Sequence, residues 1–131
     1  MTASRNLKSP VRSFRDLVVW QKAVDLAEEV YFVTRTFPKE ELYGLTRQMR
    51  RAAVSVASNL AEGHARQTRG EFVQFLGIAR GSIAELQTQA ILAARLQMLS
   101  EESAERLDLQ LAEVGRLLNA LRTSLLTPSS S

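Results

Sequence analysis

The sequence contains no cysteine, which excludes a disulfide framework, thiolate zinc ligands and cysteine nucleophiles. It also contains no run of about 18 apolar residues, so we expect no membrane-spanning helix. Its opening segment lacks the continuous apolar core of a secretory signal. These absences favour a soluble protein in a reducing compartment, which we take to be the cytoplasm.

Side chains suited to catalysis are scarce. The chain has one histidine, His64, and most of its carboxylates are scattered among basic neighbours. It contains no Glu-x-x-His pair of the kind that di-iron bundles use, no glycine-rich phosphate loop and no nucleophile elbow. We therefore expect a non-enzymatic protein without a metal or cofactor, and we interpret His64 as a residue near a helix end.

Four successive segments repeat apolar residues at spacings of three and four, which predicts four helices. The segments are 14–37, 39–63, 68–90 and 100–126. Pro38 stops the first, and Ser13, Thr68 and Ser100 stand where N-caps are expected. All three connections are short, which is typical of antiparallel neighbours. The sequence thus predicts an all-α fold, an antiparallel up-down-up-down four-helix bundle.

The 131 residues suffice for one domain with its own core. We assign residues 14–126 to the bundle, 1–13 to a disordered basic arm and 127–131 to a disordered polar tail. The arm contains arginine and serine but no acidic residue, a composition that also suits an organelle transit peptide.

Positive charge is unevenly distributed along the chain. Residues 47–80 hold six arginines against two glutamates, whereas residues 101–113 hold five acids against Arg106 alone. This asymmetry predicts one anion-attracting region. The candidates for nucleic-acid contacts are Arg47, Arg50, Arg51, Arg66, Arg69 and Arg80. No recognition motif accompanies them, so any binding should depend little on base sequence and weaken with salt; an ordinary solvated face is the alternative.

Two helices carry more apolar or small-residue surface than one core contact needs. The apolar arc of the first spans roughly 200°, and the third places two interior glycines opposite its apolar face, each costing about 1 kcal/mol relative to alanine. These features predict a homo-oligomer. The predicted interface residues are Val19, Leu26, Val33, Gly77, Gly81 and Ala84. Alternatively, bundle geometry buries these positions inside one chain, or the glycines are simply tolerated.

Polar residues also follow one flank of the apolar stripe in the second helix. Among them, Asn59 and Glu62 are predicted to have a structural role. Isolated polar groups of this kind hydrogen-bond across helix interfaces and fix the register of a bundle.

Four segments together resemble a known family over nearly the whole domain. They are FRDLVVWQKA (14–23), YGLTRQMRRA (43–52), SVASNLAEGHAR (55–66) and FLGIARGSIAELQTQ (75–89). The chain resembles the four-helix-bundle proteins encoded in intervening sequences of bacterial 23S ribosomal RNA. This resemblance implies a homopentamer without enzymatic activity. Ala57 departs from it, because many relatives are expected to have proline there.

At the level of fold, the chain is also similar to the accessory variability determinant proteins of diversity-generating retroelements. Those proteins are basic pentamers that associate with nucleic acid and a reverse transcriptase, so the similarity implies such partners. Our first hypothesis is an oligomer that binds RNA or DNA electrostatically. The alternative is a scaffold or adaptor, for example for a reverse transcriptase, without direct nucleic-acid binding.

Overall fold

A computed structural model describes residues 11–127, which contain four α-helices and no β-strand. The helices are α1 (Val18–Thr34), α2 (Arg47–His64), α3 (Arg69–Arg95) and α4 (Glu101–Leu126). The prediction of an all-α four-helix fold is confirmed. The proposed basic arm and polar tail lie almost entirely outside the described residues. None of the described helices is both long enough and apolar enough to cross a membrane.

The helix starts follow the predicted capping residues, with one difference. Thr68 and Ser100 cap α3 and α4, and each hydroxyl accepts a 3.1 Å hydrogen bond from the backbone N–H three residues further on. Ser13 also forms a capping box, but it caps a short 3-10 turn, Phe14–Asp16, that precedes α1. Local sequence therefore sets the starts of α3 and α4.

The connection between α1 and α2 is longer than predicted. Helix α1 ends at Thr34, and α2 begins only at Arg47. Between them, Lys39–Glu41 forms a 3-10 turn and Leu42–Thr46 forms a π-helical turn with a kink. The buried side chain of Leu45 continues the apolar spacing of α2 into this turn. Periodicity alone therefore extended the predicted helix too far toward its N-terminus.

Each helix packs against two others, because α1 and α3 both lie between α2 and α4. Two ion pairs join α1 to α4: Lys22 Nζ lies 3.7 Å from Glu113 Oε2, and Arg106 Nε lies 3.1 Å from Glu29 Oε2. The earlier residue of α1 pairs with the later residue of α4, so these two helices are antiparallel. The up-down-up-down order of the whole bundle stays a prediction.

The predicted interface residues of α1 are buried inside the single chain. Val19, Leu26 and Val33 were predicted to contact another copy, but all three are buried in the core, and Leu26 is 0% exposed. The prediction for these three residues is wrong. Because α1 packs against α2 on one side and α4 on the other, two intrachain contacts cover more of its surface than one contact would.

The polar bridge between α2 and α3 is made by two serines. The hydroxyls of Ser55 and Ser82 lie 2.8 Å apart. Asn59 donates to the Ser55 carbonyl at 2.8 Å and to its hydroxyl at 3.0 Å, both within α2. Glu62 is exposed and pairs with Arg66 one turn later, at 3.2 Å. The prediction that Asn59 and Glu62 reach across the interface is therefore wrong, although Asn59 orients the serine that does.

Candidate nucleic-acid interface

The six candidate arginines do not form one continuous patch. Three of them, Arg47, Arg50 and Arg51, lie in the first turns of α2 and line one groove. A pair lies at the opposite end of α2, which is 18 residues long, a length of roughly 27 Å. The last, Arg80, is exposed in the middle of α3. The structure therefore makes the first turns of α2 the densest group.

A groove of about 570 Å³ lies beside this group. It runs between the end of α1 and the start of α2. Besides the three arginines, its lining residues are Tyr31, Leu42, Tyr43, Thr46, Val54 and Ser55. None of these lining residues, all within the described part of the chain, is acidic. The groove is thus lined by apolar and aromatic side chains and by three positive charges, without a negative charge.

Arg50 is held in place by α1. Its Nε donates to Thr34 Oγ1 at 2.9 Å, and its guanidinium carbon lies 4.6 Å from the centroid of the Tyr31 ring. The Thr34 hydroxyl is buried and in turn donates to the Val30 carbonyl at 2.7 Å. Arg50 is therefore a fixed wall of the groove, and its cation-π contact orients Tyr31.

Arg47 and Arg51 are exposed, and within residues 11–127 neither forms an ion pair. The first turn of α2 contains no acidic residue. The partial positive charge of a helix N-terminus adds to the charge of these side chains, so the local potential favours anions. A separate depression next to Arg51 does contain an acidic residue, Glu85 of α3.

The two arginines near the C-terminal end of α2 differ from Arg47 and Arg51 in their contacts. Arg66 pairs with Glu62, and its guanidinium carbon lies 4.7 Å from the centroid of the Phe75 ring. Arg69 is exposed in the first turn of α3. Because Arg66 already has a carboxylate partner, this pair offers an anion less free charge than Arg47 and Arg51 do.

Sequence reasoning missed the aromatic part of the site. The chain has two tyrosines, and both line the groove. Tyr31 of α1 is half exposed, and Tyr43 is 79% exposed. The position of Tyr43 four residues before Arg47 was the one local signal that an aromatic ring accompanies the arginines.

A second exposed surface lies on α3. Gly77, Gly81 and Ala84 are exposed, and a Cβ atom added to either glycine would meet no atom within 4 Å beyond its chain neighbours and the adjacent backbone of its own helix. Large apolar side chains flank this strip, each about half exposed: Ile78, Ile91, Leu92 and Leu96. The structure therefore places three of the six predicted interface residues on an open apolar surface, which we call the α3 strip.

The structure is a four-helix fold in which three arginines line one groove at the start of α2. The family model of the 23S rRNA-intervening sequence proteins matches residues 15–120. The chain belongs to this family.

A solved structure supports the fold. It is the crystal structure of a protein of unknown function from the S23 ribosomal protein family of Bacteroides thetaiotaomicron. That structure aligns with a TM-score of 0.73 and 22% identity, covering 80% of this chain and 98% of the other. A search of curated proteins gave no match.

Proposed function

We propose that this chain is a non-enzymatic, oligomeric cytoplasmic protein that binds nucleic acid by electrostatic contacts at the start of α2. One observation carries the proposal: Arg47, Arg50 and Arg51 line a single groove that has no acidic lining residue. Arginine forms bidentate hydrogen bonds with phosphate, and every nucleic acid presents phosphates at regular intervals. Repetition of the groove in an oligomer multiplies the contacts.

Binding to phosphates makes a quantitative prediction for salt. Each neutralised phosphate contributes about 0.7 to 0.9 to the slope of log K against log salt concentration. Replacing Arg47 and Arg51 by glutamate should therefore reduce that slope by about 1.5 and weaken binding about tenfold or more at low salt. Fluorescence anisotropy with labelled RNA and DNA, repeated over a series of salt concentrations, measures both quantities.

The matched control reverses two arginines outside the groove and outside the α3 strip, Arg15 and Arg116, which are both exposed. This control changes the net charge by the same amount as the test variant. If the two double variants lose affinity equally, only total charge matters, and the groove is not the site. If wild-type protein binds neither RNA nor DNA at low ionic strength, the nucleic-acid function is refuted.

The oligomeric part of the proposal rests on the α3 strip. An interior glycine lowers helix stability, and exposed isoleucine and leucine side chains lose favourable burial, so this surface is unfavourable in an isolated chain. A second copy packed on the strip would bury the apolar side chains, and the close helix contact that glycine permits would offset its cost. A pentamer is the assembly we expect from the resemblance to the family. The strip also suits the alternative function, a scaffold for another protein.

Multi-angle light scattering on a sizing column tests self-association. We expect a mass several times that of one chain, and we expect Ala84→Leu to lower it because a larger side chain holds a packed neighbour away. Ala120→Leu is the control, since Ala120 is an exposed alanine on α4. A monomeric wild-type protein at micromolar concentration would remove the oligomer. A monomer that still captures a protein partner through the strip would favour the scaffold.

A further inference from the structure

We propose that the groove at the start of α2 is selective for single strands: an unpaired base stacks on Tyr43 while Arg47 and Arg51 hold the neighbouring phosphates. This inference rests on the proposed nucleic-acid binding and specifies the form of nucleic acid that is bound. The shared chemistry is an unpaired nucleobase joined to a phosphodiester backbone, which both RNA and DNA supply.

Tyr43 has no role in the core. It lies in the π-helical turn that precedes α2, and its side chain is 79% exposed. Within residues 11–127, no other ring or cation stacks on it, whereas the Tyr31 ring already contacts Arg50. Most of the Tyr43 surface is therefore open to a ligand, and no ring or cation of the described residues competes for a face of its ring.

Three other exposed side chains join Tyr43 in the same groove. Leu42, Tyr31 and Val54 are each between 43% and 49% exposed. A single exposed apolar residue is ordinary, but four gathered along one groove form a patch that favours an apolar ligand surface. The face of a nucleobase is such a surface, and stacking on an aromatic ring is tolerant of base identity.

The positive charge around this patch favours a ligand that also carries negative charge. Arg47 and Arg51 are exposed and unpaired in the described part of the chain, and no lining residue of the groove is acidic. An aromatic platform next to cations is the combination with which proteins bind single-stranded nucleic acid. In a duplex the base faces are stacked on each other, so a duplex offers phosphates to the arginines but no face to Tyr43.

A second groove extends the path of the strand. It shares Tyr31 and Arg50 with the first groove and also contains Phe32 and Arg35. Phe32 is exposed, and the guanidinium carbon of Arg35 lies 5.8 Å from the centroid of its ring. Both grooves thus contain aromatic rings and arginines, and a short strand that leaves the first groove would meet the same chemistry in the second. Glu28 is the acidic residue in this second groove.

The test compares single strands with duplexes on the full chain. The probes are labelled 12-nucleotide oligo(dU) and oligo(U), which differ only in the sugar, and blunt DNA and RNA duplexes of the same length. We expect wild-type protein to bind the single strands more tightly, and we expect Tyr43→Leu to weaken single-strand binding by about tenfold while changing duplex binding by less than about twofold. Tyr43→Phe retains the ring and should keep wild-type affinity. Comparing the two single strands shows which sugar the site prefers.

The outcomes separate this inference from the proposed function. Equal affinity for single strands and duplexes, unchanged by Tyr43→Leu, overturns single-strand selectivity and leaves electrostatic binding in place. Absence of binding to every probe overturns both. A change of oligomeric mass in Tyr43→Leu with unchanged affinity assigns the groove to a contact between copies and also overturns the inference. Because Tyr43 is exposed, circular dichroism of each variant should match wild type.

Discussion

The N-terminal ends of α2 and α4 differ in their capping and in the charge of their first turns. Helix α4 begins with a side-chain cap from Ser100 followed by Glu101 and Glu102, an arrangement that satisfies free N–H groups and complements the helix dipole. Helix α2 begins at Arg47, has no acidic residue in its first turn, and receives no side-chain cap from Thr46. The difference shows that local sequence stabilises one helix start, while the other must be held by its surroundings.

The surroundings of the α2 start supply that stability. Glu41 Oε1 accepts a 3.1 Å hydrogen bond from the backbone N–H of Leu45, inside the preceding π-helical turn. The side chains of Leu45 and Met49 are buried, and Arg50 is hydrogen-bonded to Thr34 of α1. Packing therefore fixes this helix start, which leaves the residues of its first turn free of a capping role.

The largest effect should come from removing that packing. Met49 is 0% exposed, so Met49→Ala should lower the free energy of unfolding by about 2–5 kcal/mol through lost burial and a cavity. Urea denaturation followed by circular dichroism measures the change. Leu109→Ala is the control, because Leu109 is 71% exposed and should lose less than about 0.5 kcal/mol. Similar losses for both variants would contradict a start of α2 held by packing.

A smaller effect is expected at the start of α4. Ser100→Ala removes the hydroxyl that accepts from Ser103 N–H, and should cost about 1 kcal/mol in unfolding free energy. Ser100→Asp retains an acceptor and should restore most of the loss. Ser124→Ala, in the last turn of the same helix, should cause little loss. If Ser100→Ala leaves the urea midpoint unchanged, the cap does not stabilise α4.

The smallest effect has the opposite sign. Arg47→Gln removes a positive charge from the N-terminus of α2 and should raise the free energy of unfolding by about 0.3–1 kcal/mol at low salt. Arg116→Gln, in the interior of α4, should change it less, since it lies away from a helix end. Thermal denaturation at low and high salt measures both. A destabilised Arg47→Gln protein would mean that this arginine contributes to the fold.

Four helices could be predicted because apolar spacing and caps are local signals. The start of α2 could not, since Leu42 and Leu45 keep the spacing of three in a π-helical turn that periodicity does not distinguish from an α-helix. The burial of Leu26 depends on how many helices surround α1, which no local pattern encodes. Both errors concern how the helices pack against one another, and neither changes the predicted fold class.

The candidate site was predictable in its charge and unpredictable in its shape. The run containing Arg47, Arg50 and Arg51 is visible in the sequence. The groove also needs Tyr31 from another helix and Tyr43 from the irregular turn, and only the packing of α1 on α2 brings them together. The arginines in the sequence indicate that a ligand of this groove would be an anion. Which kind of anion fits depends on how the rings and charges are arranged, and composition does not show that arrangement.

The contact between Ser55 and Ser82 has a consequence for the outer surface of the molecule. Displacing α3 along α2 by one turn, about 5.4 Å, would separate the two hydroxyls and leave the buried one on Ser82 without its partner. A buried hydroxyl without a partner costs about 1–3 kcal/mol. The serine pair thus favours one axial alignment of the two helices, and with it the relative position of Glu85 and Arg51, which border one depression. A single polar contact inside the bundle thereby sets the spacing of charges on its exterior.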